Sequence, residues 1–339
     1  MNIQAYTSSD AFDTLRDDWN PLLQASGRLN IFTTWEWQSN WWAAYHPGDL
    51  WILAMRTDAG ELVGLAPWFI DHSSPNGPRV RSIGCVDVTD YLEPILHAEY
   101  IEPALEALAA YTAQQHAQFN MLDFCNIPAS APVLEHWPAI LRQNGFDVDI
   151  QQQDVCPVIP LPGSWDDYLQ QLNKKQRHEI RRKMRRLKGL GAEVTWAYIT
   201  EQDDLSAALE RFFALMRRSS AEKEQFLQNS AHVDFFRRVI PALQAGGWLK
   251  LSFLQLDGQD AAAYIAFDYD NRVLLYNSGH DPDIYPEVSP GIMLLSYIIE
   301  DAIDAGRSAF DFLRGDEEYK YRMGGQDQPV MFLSAQLTP

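Results

Sequence analysis

Residues 310–325, FDFLRGDEEYKYRMGG, set Asp311, Arg314, Asp316, Glu317, Tyr319 and Lys320 side by side. The run starts as an alternating strand and breaks at Gly315 into carboxylates, an aromatic hydroxyl and a cation. Loops that follow strands carry chemistry on a rigid base, so this is the pattern of a site at a sheet's edge. The chemistry it suits is proton transfer beside a bound anion. Asp316 and Glu317 are candidate bases where burial raises a carboxyl pKa toward neutrality. Tyr319 is a candidate proton donor to a leaving group. Arg314, as a fork, and Lys320, as a point charge, are candidate holders of an anionic acceptor or a phosphate. Asp311 alternates with Phe310 and Phe312, so it faces the other side of the strand and is expected to position Arg314 or Lys320. His280, after Gly279, is a rival base with an ordinary pKa of about 6.5.

A second group lies upstream, in SGHDPDIYPEVSPGIMLLSYIIEDA. Ser289-Pro290-Gly291 opens a helix: Ser289 can cap, Pro290 suits the first turn, and Gly291 permits close approach. The free N–H groups and positive dipole end of a helix suit a pyrophosphate. A third group is the segment Lys174 to Lys188, with nine Lys or Arg and one Glu. Ile180, Met184 and Leu187 form its inward stripe, and the basic faces are left to solvent or to a polyanion.

These groups need a frame, and the chain contains it twice. Leu50 to Ile70 and Leu249 to Tyr269 both read as strand, Asp/Gly turn, strand. A further strand follows each hairpin, Arg79 to Gly84 and Arg272 to Ser278. Then comes an amphipathic helix, Ile101 to His116 and Gly291 to Ala305, and a short strand, Leu122-Asp123-Phe124 and Phe310-Asp311-Phe312. The expected division is residues 1–155 and 156–339, with the Pro-rich crossing Cys156 to Gly163 as linker. Further helices are expected at Gln202 to Ser219 and Ala231 to Ala245. The run Thr33 to Trp42 reads as a capped helix whose Trp37 and Trp41 are core.

Composition narrows the function. With 339 residues, 46% of them hydrophobic, the chain can bury a large core, and its formal charge of −19 argues against general binding to polyanions. No eighteen apolar residues run together, and no secretory leader opens the sequence. Cys85, Cys125 and Cys156 lack metal-ligand spacing, so no metal is expected, and they read as reduced, buried thiols of a cytoplasmic protein.

The DG hairpin, SGHDP, SPG and the closing FDFLRGDEEYK resemble the GNAT acyltransferase superfamily, in its CelD/BcsL-like branch related to the FemABX peptidyltransferases. Trp35-Glu36-Trp37, the strand GLAPWF and Asp90-Tyr91 extend the resemblance into the first half. The resemblance implies an α/β fold of two tandem GNAT-like units, each a mixed, mostly antiparallel sheet flanked by helices. It implies acetyl-CoA or another acyl-CoA as co-substrate, held at Ser289, Pro290, Gly291, Ile292, Met293 and Leu294. It also implies direct attack by an amine or hydroxyl of a small molecule, sugar or polysaccharide precursor. Asp311, Arg314, Lys320, Asp90 and Tyr91 would bind that acceptor. Val288 stands where the common glycine loop has Gln or Arg, and Met293 where it has Gly or Ala. Two alternatives follow: an aminoacyl-tRNA donor held by Lys174 to Lys188, as in FemABX relatives, or a non-catalytic scaffold. The first-half strand Leu122 to Phe124 lacks the charges that follow Phe312, which places the expected site in the second half.

Overall fold

The computed structural model describes residues 1–85 and 88–338. The chain divides into two compact units, Met1–Val155 with Gln328–Pro339, and Cys156–Asp327. The last segment thus belongs to the first unit, whereas the sequence placed it in the second. The reason is pairing: strand Gln326–Leu337 runs antiparallel to Met121–Pro128, with Val330 opposite Pro128 and Ala335 opposite Leu122.

In the first unit, strands Asn2–Tyr6, Asp49–Arg56, Leu62–Asp71 and Arg79–Ser82 pair antiparallel in that order. The last of them runs parallel to Met121–Pro128. Helices Ile101–Gln114 and Pro132–Gln143 pack on a core that includes Trp51, Trp68, Phe124 and Trp137. The tryptophan helix is Trp35–Tyr45; Thr34, one residue later than expected, caps it, and Trp37 and Trp41 are fully buried.

In the second unit, Val194–Tyr198, Leu249–Leu256, Gln259–Tyr269 and Arg272–His280 are antiparallel neighbours. The hairpin turn is Asp257-Gly258, both with positive φ, which is what a two-residue turn of this twist requires. Arg272–His280 then runs parallel to Ala309–Asp311, which pairs with residues 158–160. Those residues were expected in a linker. They instead end the strand Phe146–Pro160, where Pro157 accepts through its carbonyl and neither Pro157 nor Pro160 needs to donate.

The two units repeat one register. Arg79 and Val80 stand opposite Met121 and Leu122, as Arg272 and Val273 stand opposite Ala309 and Phe310. Asp123 and Asp311 therefore occupy the same step, and both are buried. Cys85 and Cys125 are joined by a disulfide, contrary to the expectation of reduced thiols; Cys156 is buried. Nothing in their spacing of 40 residues announces the pairing, which follows from the loop after Arg79–Ser82 lying against strand Met121–Pro128.

Candidate active site

The frame of the site is a parting of two strands. Arg272–His280 pairs with Ala309–Asp311 at only three positions, the last being Leu274 with Asp311. Beyond Leu274 it keeps its partner on the other side, with a bulge between Ile265 and Ala266. Its edge facing Ala309–Asp311 is left without that neighbour. Bulges that re-aim side chains are common beside active sites. Helix Pro290–Asp304 begins after the open end of this strand.

The helix start is built differently from the sequence reading. Ser289 does not cap through its side chain; its backbone is left-handed, φ 52°, after a single turn at Pro286–Val288. Its hydroxyl instead accepts from Lys183 Nζ at 2.7 Å. Arg186 donates to the Glu287 carbonyl at 3.2 Å. Two cations of the basic helix Lys174–Lys188 therefore stand at the positive end of helix Pro290–Asp304. Burial, more than the charges of Arg182 and Arg322, lowers the Lys183 pKa, with Glu179 opposing.

Of the six expected donor-binding residues, Pro290, Met293 and Leu294 have their side chains buried. Val288 and Met293, where the sequence departs from the common glycine loop, are both fully buried core residues. Packing explains the departure. Gly291 and Ile292 are half-buried, and a Cβ on Gly291 would find only the Tyr264 hydroxyl, at 3.7 Å. Ile292 lines a cleft of about 330 Å³ with Lys183, Glu179, Tyr319 and Arg322. An acidic phosphate chain fits such a surface: a helix start, an open glycine and lysine and arginine side chains.

The closing run 310–325 is organised by Lys320, and this is the main correction to its expected roles. Lys320 is 2% exposed. Its Nζ donates to the carbonyls of Leu313, Arg314 and Gly315 at 3.1, 2.7 and 3.1 Å, and pairs with Glu317 at 2.8 Å. A lysine so engaged holds a loop, not a ligand. Asp311, buried, accepts from the Leu313 N–H at 2.7 Å, which supports the positive φ of Leu313. Gly315 has φ 111°, and a Cβ there would lie 2.6 Å from the Glu317 carboxylate, so only glycine fits. Arg314 contributes its carbonyl to this knot. Asp316 and Glu317 are exposed, so the burial required of a base is absent at both.

Tyr319 lines the cleft beside Ile292. It packs edge-on against Phe312, and burial, then Tyr264 and Glu317, push its pKa well above the ordinary value, so it stays protonated. His280 is half-buried at the end of strand Arg272–His280, and its backbone N–H donates to Ser219 Oγ at 2.7 Å. Burial and the charge of Lys223 lower its pKa, with Asp281 opposing, which keeps the imidazole neutral. Asp90 and Tyr91 belong to the first unit, where the Tyr91 carbonyl accepts from Asn30 and its ring meets Phe32.

Two groups of the site were missed. Tyr264, buried on the strand opposite Ser278, presents its hydroxyl to Gly291. Its signal was its place in an apolar strand, AAAYIAF, where a hydroxyl is out of keeping. Lys223 donates from Nζ to Ser278 Oγ at 2.7 Å and to the Ser278 carbonyl. It sits on a helix the sequence reading did not separate, Ala221–Gln228, between two glutamates that make it look like part of a solvated face.

Comparison with known proteins agrees with this frame. Residues 174–321 match the family model described as Acetyltransferase (GNAT) domain. No curated protein matches the chain in sequence. Among solved structures it is similar to FemX, with 11% identity over 98% of this chain and 97% of that one, at a TM-score of 0.66. L-PGS from Bacillus licheniformis is similar with 9% identity, covering 95% and 92%, at 0.57. A tandem GNAT protein from the clavulanic acid biosynthesis pathway has 13% identity, covering 100% and 99%, at 0.51. These likenesses show the fold, two GNAT-like units in tandem. Among the described residues, no helix is long and apolar enough to cross a membrane.

Proposed function

We propose, for a chain whose residues 174–321 match the model of a GNAT acetyltransferase domain, that it transfers an acyl group from an acyl-CoA to an amine or hydroxyl by direct attack. The observation that carries this reading is the parting of Arg272–His280 from Ala309–Asp311 after three pairs, beside the start of helix Pro290–Asp304. An open strand edge offers N–H and C=O groups to an amide-bearing arm, and the helix start with Lys183 and Arg186 offers charge to phosphates.

Coenzyme A, when bound, supplies an activated thioester and a phosphate-rich handle. The chain's own residues do the rest. Lys183, Arg322 and the backbone at Gly291 and Ile292 hold the anionic end. Tyr264 and Tyr319, both kept protonated by burial, are hydrogen-bond donors, and Tyr319 gives a proton to the departing sulfur. His280, neutral near pH 7, takes the proton of the attacking group. Its expected rivals, Asp316 and Glu317, are exposed. The acceptor follows the resemblance alone: a sugar or cell-envelope precursor.

The basic helix favours a second reading, an aminoacyl-tRNA donor, because Arg181, Arg185 and Lys188 lie on its exposed side. Thermal unfolding separates the two. Acetyl-CoA in large excess should raise the midpoint of the wild type but not of Ile292→Glu, which puts a carboxylate in the cleft. No shift with acetyl-CoA, together with salt-sensitive tRNA binding, would replace the first reading by the second.

A further inference from the structure

A lysine side chain reaches the open edge of one of the parted strands. Lys223 binds Ser278 on one arm through both the carbonyl and the hydroxyl. Ser278 lies past the last pair with Ala309–Asp311 and directly opposite Tyr264, so its side chain shares the face of Tyr264. From the other arm the charge of Glu317 acts on Lys223, although Lys320 already pairs with that carboxylate at 2.8 Å. A donor arm laid along the open edge of Arg272–His280 must pass this amine.

The amine is disposed to react. A neutral primary amine has two N–H bonds and one lone pair. With both donors turned to Ser278, the lone pair is left free of that residue. Burial, only partly opposed by Glu317, brings the Lys223 pKa down to about 8. Roughly a tenth of it is then free amine at pH 7, against less than about a thousandth for a solvated lysine. Lys183 has a similar hydroxyl partner but also Glu179 at 3.8 Å, and it stands at the phosphate end of the site.

We infer that Lys223 is an acylation site of this protein, taking the donor's acyl group on its own Nζ when no acceptor fills the gap. This rests on the acyl-CoA reading above. The lone pair adds to the thioester carbonyl, the new N–C bond forms, and the C–S bond breaks with its electron pair leaving on sulfur. One proton of the attacking nitrogen ends on the thiolate. The products are an amide at Lys223 and a free thiol, and no other reactant is needed. The amide carries no charge toward Glu317 and occupies the gap, so acylation limits the protein's own turnover.

Incubation of the whole protein with acetyl-CoA at pH 8, followed by peptide mass spectrometry, tests this. Lys223 should gain an acetyl group at least tenfold faster than exposed Lys174 and Lys188, with one free thiol released per group. Lys223→Arg should lose that fast phase, and Ile292→Glu should slow it without changing the surface lysines. If acetyl-CoA stabilises the fold but Lys223 reacts no faster than Lys174, the inference is overturned and the donor reading stands. Fast acetylation that persists unchanged in Ile292→Glu is ordinary chemical labelling, and overturns it too. If acetyl-CoA neither stabilises nor acetylates, both readings fall together.

Discussion

Lys320, on the short helix Glu318–Arg322, grips Glu317 at 2.8 Å at the end of the loop that joins this helix to the strand Ala309–Asp311. The pair is one corner of a knot, since the same ammonium binds three carbonyls of that loop. Removing the ammonium would leave buried acceptors unpaired. Lys320→Met is therefore expected to cost about 3 kcal/mol of stability, read as a lower urea midpoint. Lys320→Arg should recover little, because a planar fork cannot converge on three carbonyls. A variant that kept its midpoint and lost only anion binding would restore the ligand-holding role.

Lys183 joins the basic helix to the start of helix Pro290–Asp304 through Ser289. It faces Arg322 across the cleft and is the cation best placed for a phosphate. Lys183→Gln should weaken coenzyme A binding about tenfold, or about 1.4 kcal/mol, and reduce its salt dependence. Isothermal titration at two salt concentrations reads both. Equal loss from Arg185→Gln, on the exposed side, would point to diffuse charge attraction.

Gly291 is a case where fold and ligand make different demands. Its φ is not in the left-handed region, and an added Cβ would make an ordinary contact with Tyr264. Gly291→Ala should therefore keep or slightly raise stability, since glycine is the poorer helix former by about 1 kcal/mol. Donor binding should fall, because the backbone at the helix start is covered. A variant that binds acetyl-CoA as tightly as the wild type would remove Gly291 from the site.

The disulfide between Cys85 and Cys125 closes a loop across a separation of 40 residues. Opening it should cost the first unit about 2–4 kcal/mol, on chain-entropy grounds. Dithiothreitol should lower the urea midpoint of the wild type, and Cys85→Ser with Cys125→Ser should remove that sensitivity. A wild type indifferent to reductant would show that the bridge adds nothing in solution.

What the sequence revealed and what it concealed follow from the range of the interactions. Hairpins, the inward stripe Ile180, Met184, Leu187 and the repeated order of elements rest on neighbours a few residues apart, so period and turn chemistry expose them. The repeat even predicts register: Asp123 and Asp311, matched by their tripeptides, occupy the same step. Charges are different. Asp316, Glu317 and Lys320 look alike as solvated or reactive groups, and only the path of the loop makes Lys320 buried and the carboxylates exposed. Lys223 needs Ser278, 55 residues away, to become a site residue. Val288 and Met293 look like a defective glycine loop until their burial shows them to be core.

Lys223 also sets a pH dependence whose sign can be worked out. Its pKa falls from 10.5 in the open chain to about 8 in the fold. Above 10.5 it is neutral in both states and burial carries no charge penalty. As pH drops from 10.5 toward 8, the unfolded chain takes up the proton first, and stability is lost through that window. Below 8 both states are protonated and the loss is constant, about 3 kcal/mol from the size of the shift. Lys223→Met has no such group but gives up the bonds to Ser278, about 1 kcal/mol. The variant should then be the more stable protein at pH 7, by about 2 kcal/mol, and lose that advantage by pH 10. Glu317 and His280, the titratable groups that act on Lys223, do not reverse the sign. Glu317 opposes the shift and is part of the value of about 8, and neutral His280 does not titrate above pH 8. Urea unfolding of both proteins at pH 7, 8, 9 and 10 gives the difference directly. A flat difference across that range would mean that Lys223 is solvated, and would also remove the free amine on which its acylation depends.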